Sequence, residues 1–341
     1  MTRLLVVAPS WIGDAIMAQP LLMRLRARHP QARIDVLAPP WVAPVLGRMA
    51  EVDAVIDNPF AHGQLRLGDR RALGRSLARR YDAAWVLPNT WKSALVPAFA
   101  GIRHRVGYHG EARWGLLNER HRLDAERHPR LVERYAALAG PLDDAPLTMP
   151  RLGSTPAQQA QARGALGLPV DAQPFVFCPG AEFGPAKRWP AAHYAALARR
   201  LANYSGGGTA PAVWLVGSKK DAPVGEAIAT LSGGAALNLC GTSALDQAID
   251  LIAGARAVVS NDSGLMHVAA AVGVPLVALY GSSSPGYTPP LSRRARIVSR
   301  GLDCSPCFKR ECPLGHLDCL QGLSPETVAA EMDALLTENP T

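Results

Sequence analysis

A carboxylate, a lysine and a glycine-led helix start each follow a short apolar run in this chain, and together they have the parts for displacing a phosphate leaving group. Ala8-Pro9-Ser10-Trp11-Ile12-Gly13-Asp14 comes directly after Leu4-Leu5-Val6-Val7. A carboxylate at that spacing sits in the first turn of a helix. It either takes a proton from an attacking hydroxyl or simply complements the helix dipole. Ser260-Asn261-Asp262-Ser263-Gly264-Leu265-Met266-His267 follows Ala257-Val258-Val259. The amides of Ser263, Gly264 and Leu265 then open a helix and suit an anion, with His267 about one turn further on. The alternative is an ordinary N-cap at Asp262 or Ser263 and a satisfied helix histidine.

The loop Pro179-Gly180-Ala181-Glu182-Phe183-Gly184-Pro185-Ala186-Lys187-Arg188-Trp189-Pro190 brings a lysine point charge suited to a leaving phosphate, unless its two cations are merely solvated. Gly180, Glu182 and Lys187 of this loop join the candidate donor site. Asp221, at the end of Val216-Gly217-Ser218-Lys219-Lys220-Asp221, is equally a ribose ligand or a helix cap. Cys304, Cys307, Cys312, His316 and Cys319 are spaced closely enough for a structural zinc site, with Cys304, Cys307, Cys312 and Cys319 as ligands, or for a loop of buried or redox-labile thiols. Lys92, Arg103, His104, Arg105, His109 and Arg113 form a basic cluster suited to the carboxylates and phosphates of an acidic acceptor. Arg66, Arg70, Arg71, Arg75, Arg79 and Arg80 read as the solvated face of a helix, one able to rest on anionic lipid.

These groups need a scaffold of alternating strands and helices. Apolar runs at 4–8, 34–37, 54–56 and 83–87 predict buried parallel strands, with helices over 12–28, 40–49, 69–80 and 90–100. A cluster of Gly140, Pro141, Pro146, Pro150, Gly153 and Pro156 interrupts the rhythm and predicts a linker. Strands then recur at 175–178, 213–216, 257–259 and 276–279, with helices near 190–203, 222–231, 244–254, 264–272 and 324–337. The last begins at Ser324-Pro325-Glu326, an N-cap followed by proline at the first helical position. Only Ser205-Gly206-Gly207-Gly208 has low complexity. This alternation predicts an α/β fold of two doubly wound, Rossmann-like domains facing a cleft, with ligands at the carboxyl ends of the strands. The expected division is a first domain over 1–153, a second over 154–323 and a C-terminal helix over 324–341 packing back on the first domain.

Length and composition agree with two globular cores: 341 residues, 48% hydrophobic and 19% charged. Residues 1–150 hold 21 Lys/Arg against 14 Asp/Glu, or +7, while the remainder holds 15 against 14, or +1. A basic first half suits an acidic partner or is simply a solvated surface. Nucleic acid is not the expected partner, because no helix-turn-helix or RNP pattern is present and aromatic residues make up only 6%. No apolar run approaches the roughly 18 residues that span a bilayer, and the start is too short for a signal h-region. The expectation is a cytoplasmic protein whose six cysteines stay reduced.

Taken together, Pro9-Ser10-Trp11-Ile12-Gly13-Asp14, Leu87-Pro88-Asn89 with Lys92-Ser93-Ala94-Leu95-Val96-Pro97, Gly184-Pro185-Ala186-Lys187-Arg188-Trp189-Pro190 and Asn261–Ala271 resemble the lipopolysaccharide heptosyltransferases of glycosyltransferase family nine over nearly the whole chain. Within that family they are most similar to the type that adds the second heptose. The resemblance implies a GT-B fold, an ADP-L-glycero-D-manno-heptose donor, inversion at the anomeric carbon and no metal cofactor in catalysis. It makes Asp14 the general base and Lys187 the neutraliser of the donor phosphates. The domain over 1–153 would bind the acceptor and that over 154–323 the nucleotide sugar, with the segment from Asp262 to His267 holding ADP. Trp11 and Gly13 would meet the acceptor, the first heptose of the Kdo-lipid A inner core. A peripheral place on the cytoplasmic face of the inner membrane follows. Another heptosyltransferase of the family, or a nucleotide-sugar epimerase of the same architecture, is the alternative. Two departures stand out: serines over 282–284 after Gly281, where relatives often have proline after glycine, and the cysteine cluster, to which the family gives no role.

Overall fold

The computed structural model describes residues 1–61, 63–142, 146–202 and 212–338; Ser205-Gly206-Gly207-Gly208 lies outside them. The chain divides into two compact units, Met1–Leu152 and Gly153–Thr341.

The first unit is built on strands β1 (Arg3–Val7), β2 (Arg33–Ala38), β3 (Ala54–Asp57), β4 (Ala83–Val86), β5 (His104–Tyr108) and β6 (Glu119–His121), all parallel, in the order β3-β2-β1-β4-β5-β6. The second contains β7 (Phe175–Cys178), β8 (Val213–Leu215), β9 (Ala236–Asn238), β10 (Ala257–Asn261), β11 (Leu276–Leu279) and β12 (Ala295–Val298), in the order β12-β11-β10-β7-β8-β9. Counted from its own first strand, the second sheet repeats the winding of the first. Each is a doubly wound sheet whose direction of growth reverses once, between β1 and β4 and between β7 and β10. Crossover helices cover both faces, so the central strands are continuously apolar rather than alternating: Leu4 to Val7 and Phe175 to Cys178 are buried throughout. One core packs Leu5, Val7, Ala84 and Val86 against Leu77, Tyr81 and Val96. The other packs Phe175, Phe177, Trp189 and Tyr194 against Val259, Val277 and Leu279.

Departures from the expected elements have local causes. The stretch 12–28 forms two helices, Ile12–Met17 and Gln19–Arg28, because Pro20 has no N–H to give back to the preceding turn and sits where a helix can restart. The helix expected over 90–100 is a 3₁₀ turn, Trp91–Ala94, followed by Leu95–Phe99. Pro156, counted with the linker, is instead the first residue of helix Pro156–Ala165, capped by Thr155, whose hydroxyl accepts from the Gln158 amide. The C-terminal helix Pro325–Glu338 packs into the second unit itself, with Val328, Ala329, Met332 and Leu335 in that unit's core. Arg70 is not on a solvated face: it is buried, stacks 4.1 Å from the Phe60 ring centroid and donates to the carbonyls of Gln64, Leu65 and Lys92. Arg66, Arg71, Arg75, Arg79 and Arg80 are exposed.

Candidate active site

Ligands of doubly wound sheets gather where the winding reverses, at the carboxyl ends of the strands. In the second unit that point lies between β7 and β10, and it holds the lysine and the helix start singled out above. Helix Gly264–Val272 begins two residues after β10, with Ser263 as N-cap in extended conformation and no side-chain cap bond. The first-turn amides therefore carry the positive end of the helix dipole. Lys187, from the loop after β7, puts Nζ 2.6 Å from Oδ2 of Asp262. The ammonium also lies 5.2 Å from the centroid of the Phe183 ring. Asp262 is 5% exposed and Lys187 18%, so the pair is shielded enough for its charges to hold a fixed geometry.

Asn261 ties these pieces together. Its Oδ1 accepts from the Trp189 amide at 3.0 Å and from the Tyr194 hydroxyl at 3.1 Å, while its Nδ2 donates to the Pro179 carbonyl at 2.7 Å. One fully buried amide thus fixes both ends of the loop that carries Lys187 against the end of β10. Two glycines allow the packing. A Cβ on Gly180 would meet the Asp221 carboxylate at 2.5 Å, and one on Gly184 would collide with the Arg310 carbonyl, which accepts from the Ala186 amide.

His267 is buried one turn into the helix. Burial pulls its imidazole pKa down to about 4, the neighbouring Asp262 opposing and Lys187 adding to the shift. The ring is therefore neutral at pH 7 and serves a ligand by hydrogen bonding, not by charge. The shift also has a consequence for stability. Between about 4 and 6.5 the unfolded chain binds a proton that the folded one refuses, so stability falls as pH drops through that window and is unaffected by this group above it. Urea unfolding at pH 7, 6, 5 and 4.5 checks this, and His267→Gln is expected to flatten the dependence.

Other candidates are less available. Asp221 accepts from the Ser218 amide and hydroxyl through Oδ2, which is the helix-capping alternative, and Glu182 pairs with Lys220. Ser282 and Ser283, beyond β11, carry buried hydroxyls with no hydrogen-bond partner among the described residues. The sequence marked these serines only as a departure.

In the first unit the winding reverses between β1 and β4. Asp14 lies in the first turn of helix Ile12–Met17, half-buried, next to the fully buried Gly13. Lys92 is half-buried in the 3₁₀ turn after β4, Arg103 is exposed, and Trp11 is 55% exposed. The basic cluster does not stay together. Arg113 is 1% exposed and gives its N–H groups to the carbonyls of Pro88, Tyr108 and His109 and to Oδ1 of Asn89. Burial lowers its pKa to about 10, leaving it charged at neutral pH. Arg105 likewise donates to the carbonyls of Ile102, Gly115 and Leu116. Both arginines hold the loops after β4 and β5 in shape and have few donors left over.

Cys304, Cys307, Cys312, Cys319 and His316 line one cavity of about 20 Å³ together with Ala186 and Ser282. All four thiols are free. Backbone amides, foremost that of Leu317, face Cys312 and hold its thiol below the usual range. Among the described residues, however, no three His, Cys, Asp or Glu side chains are set to hold a metal ion, so the zinc site suggested by the spacing is not assembled. Nor is any helix of the described residues long and apolar enough to cross a membrane.

A family model described as glycosyltransferase family 9 (heptosyltransferase) matches residues 70–318. The chain is 47% identical to lipopolysaccharide heptosyltransferase 2 of Escherichia coli K12, covering 98% of this chain and 99% of the relative. It is 44% identical to lipooligosaccharide heptosyltransferase 2 of Haemophilus ducreyi, over 98% and 99%. The solved structure of E. coli ADP-heptose LPS heptosyltransferase II superimposes with a TM-score of 0.88 at 44% identity, covering 100% of both chains.

Proposed function

From a chain that belongs to glycosyltransferase family 9, we propose a lipopolysaccharide heptosyltransferase 2, transferring L-glycero-D-manno-heptose from ADP-heptose to the first heptose of the Kdo-lipid A inner core with inversion and without a catalytic metal. The observation that carries the reading is the pairing of Lys187 with Asp262 at the N-terminus of helix Gly264–Val272, at the reversal point of the second sheet.

The step is a single displacement. The Asp14 carboxylate accepts the proton of the acceptor hydroxyl as its oxygen bonds to the anomeric carbon, on the face opposite ADP. The bond from that carbon to the diphosphate oxygen breaks, and its electron pair leaves with ADP. Charge growing on the diphosphate is met by the Lys187 ammonium and by the amides of Ser263, Gly264 and Leu265, which are in place before the reaction and need little reorganisation. Because these groups already supply positive charge, a divalent cation is not needed to neutralise the leaving group. Asp262 positions Lys187, and neutral His267 donates or accepts one hydrogen bond at the same helix end. Gly180, Glu182 and Asp221 line the donor side. Trp11, Gly13 and Lys92, all beyond the carboxyl ends of their strands, meet the acceptor. The exposed Arg71, Arg75, Arg79 and Arg80 give the first unit a basic face for peripheral contact with an anionic inner-membrane surface.

Incubation with ADP-heptose and Kdo-heptose-lipid A in excess EDTA tests this directly. One added heptose by mass, with equimolar ADP, is expected. Transfer that needs added divalent cation would overturn the metal-free step, and release of free sugar without an acceptor would favour the epimerase-like alternative.

A further inference from the structure

The chain has seven tryptophans, and their distribution is not random. Trp85, Trp189 and Trp214 are buried at 7%, 1% and 2% exposure. Trp11, Trp41, Trp91 and Trp114 are exposed at 55%, 49%, 37% and 71%. All four exposed indoles lie in the segments that follow the carboxyl ends of β1, β2, β4 and β5, one in each, and these strands are consecutive neighbours in the first sheet. A large aromatic side chain left half in water forgoes the burial that makes it valuable, and several together mark a surface meant to be covered.

Hydrogen bonds also join these segments in pairs. The Trp41 indole N–H donates to the Ser10 carbonyl at 2.9 Å, joining the segments after β2 and β1. The Trp91 amide donates to Oε2 of Glu111 at 3.0 Å, and the Glu111 amide donates to the Asn89 carbonyl at 3.0 Å, joining those after β4 and β5. Asp14, Glu111 and Lys92 belong to the same segments as Trp11, Trp114 and Trp91. Carboxylates accept hydrogen bonds from sugar hydroxyls, and an ammonium pairs with the carboxylate of a sugar acid. Indole faces are electron-rich and attract the partly positive C–H face of a pyranose ring.

We propose that Trp11, Trp41, Trp91 and Trp114 form a stacking platform for an anionic oligosaccharide, the glycan part of the acceptor rather than its lipid. The inference rests on the acceptor reading given above, but its test does not need turnover. The fully deacylated, water-soluble Kdo-heptose oligosaccharide is titrated into the intact protein by calorimetry, beside ADP as a control for folding. Trp114→Ala and Trp91→Ala are each expected to weaken oligosaccharide binding about tenfold. Trp114→Phe, which keeps an aromatic face, restores most of the affinity, and ADP binding is unchanged throughout. Undiminished oligosaccharide binding by both alanine variants would overturn the platform, as would failure of the wild type to bind the oligosaccharide at all. A loss confined to sedimentation with phosphatidylglycerol vesicles would likewise overturn it, in favour of membrane docking. Wild-type protein that binds the oligosaccharide in a tryptophan-dependent way yet transfers no heptose would support the platform and sink the transfer reaction instead.

Discussion

Replacing Asp14 by Asn is expected to lower kcat by about 10²–10⁴, the range that a positioned general base contributes, while ADP affinity stays at the wild-type value. Asn keeps the size and one oxygen acceptor of the side chain, so helix Ile12–Met17 and the neighbouring buried Gly13 need not move. What it loses is the capacity to take a proton. The competing account of Asp14, a carboxylate that complements a helix dipole, makes a different prediction: a stability change of about 0.3–1 kcal/mol with turnover nearly intact. Measuring kcat and the urea midpoint of the same variant separates them. A kcat within about threefold of wild type would remove Asp14 from the chemistry, since that factor is well under 1 kcal/mol of barrier. A fall in kcat with an unchanged midpoint would leave proton transfer as its role.

The parts of this protein that were legible in its sequence are those where burial dictates residue type. Val-, Leu- and Phe-rich runs such as Leu4–Val7, Phe175–Cys178 and Leu276–Leu279 are central strands covered on both faces, as the middle of a doubly wound sheet requires. Strands β5, β6, β9 and β12 lie toward the sheet margins and read as polar or short segments, Glu119-Arg120-His121 being the extreme case. Their register comes from a neighbouring strand, and no local pattern marks it. The meeting of Lys187 with the start of helix Gly264–Val272 was legible because a lysine loop and a glycine-led helix each follow a central strand. The hydrogen bonds that hold it were not. Asn261 stood in the quoted motif, yet only the folded chain reveals that its amide joins the Trp189 amide, the Tyr194 hydroxyl and the Pro179 carbonyl. The partners of Arg105 and Arg113 were hidden for the converse reason. A guanidinium near strand ends offers five donors to anything nearby, and the nearest acceptors turned out to be the chain's own carbonyls.

Lys187 is the second residue on which the reaction should depend heavily. Removing one preorganised donor to a developing oxyanion costs about 10²–10³ in kcat, and Lys187→Met is expected to fall in that range. The variant has a confounding effect, because Lys187 is also the partner of the 5% exposed Asp262. Leaving a buried carboxylate unpaired destabilises strongly, by up to about 3–5 kcal/mol where desolvation is complete. With Lys187 itself 18% exposed, the loss here should be smaller. The double variant Lys187→Met, Asp262→Asn resolves the two effects, since it removes the charge and its partner together. Its stability is expected to return toward wild type while kcat remains depressed, so that the two properties give couplings of different size in one double-mutant cycle. If kcat recovers along with stability, Lys187 serves the fold of the loop after β7 and not the leaving phosphate, and the charge that drives departure must come from the helix end alone.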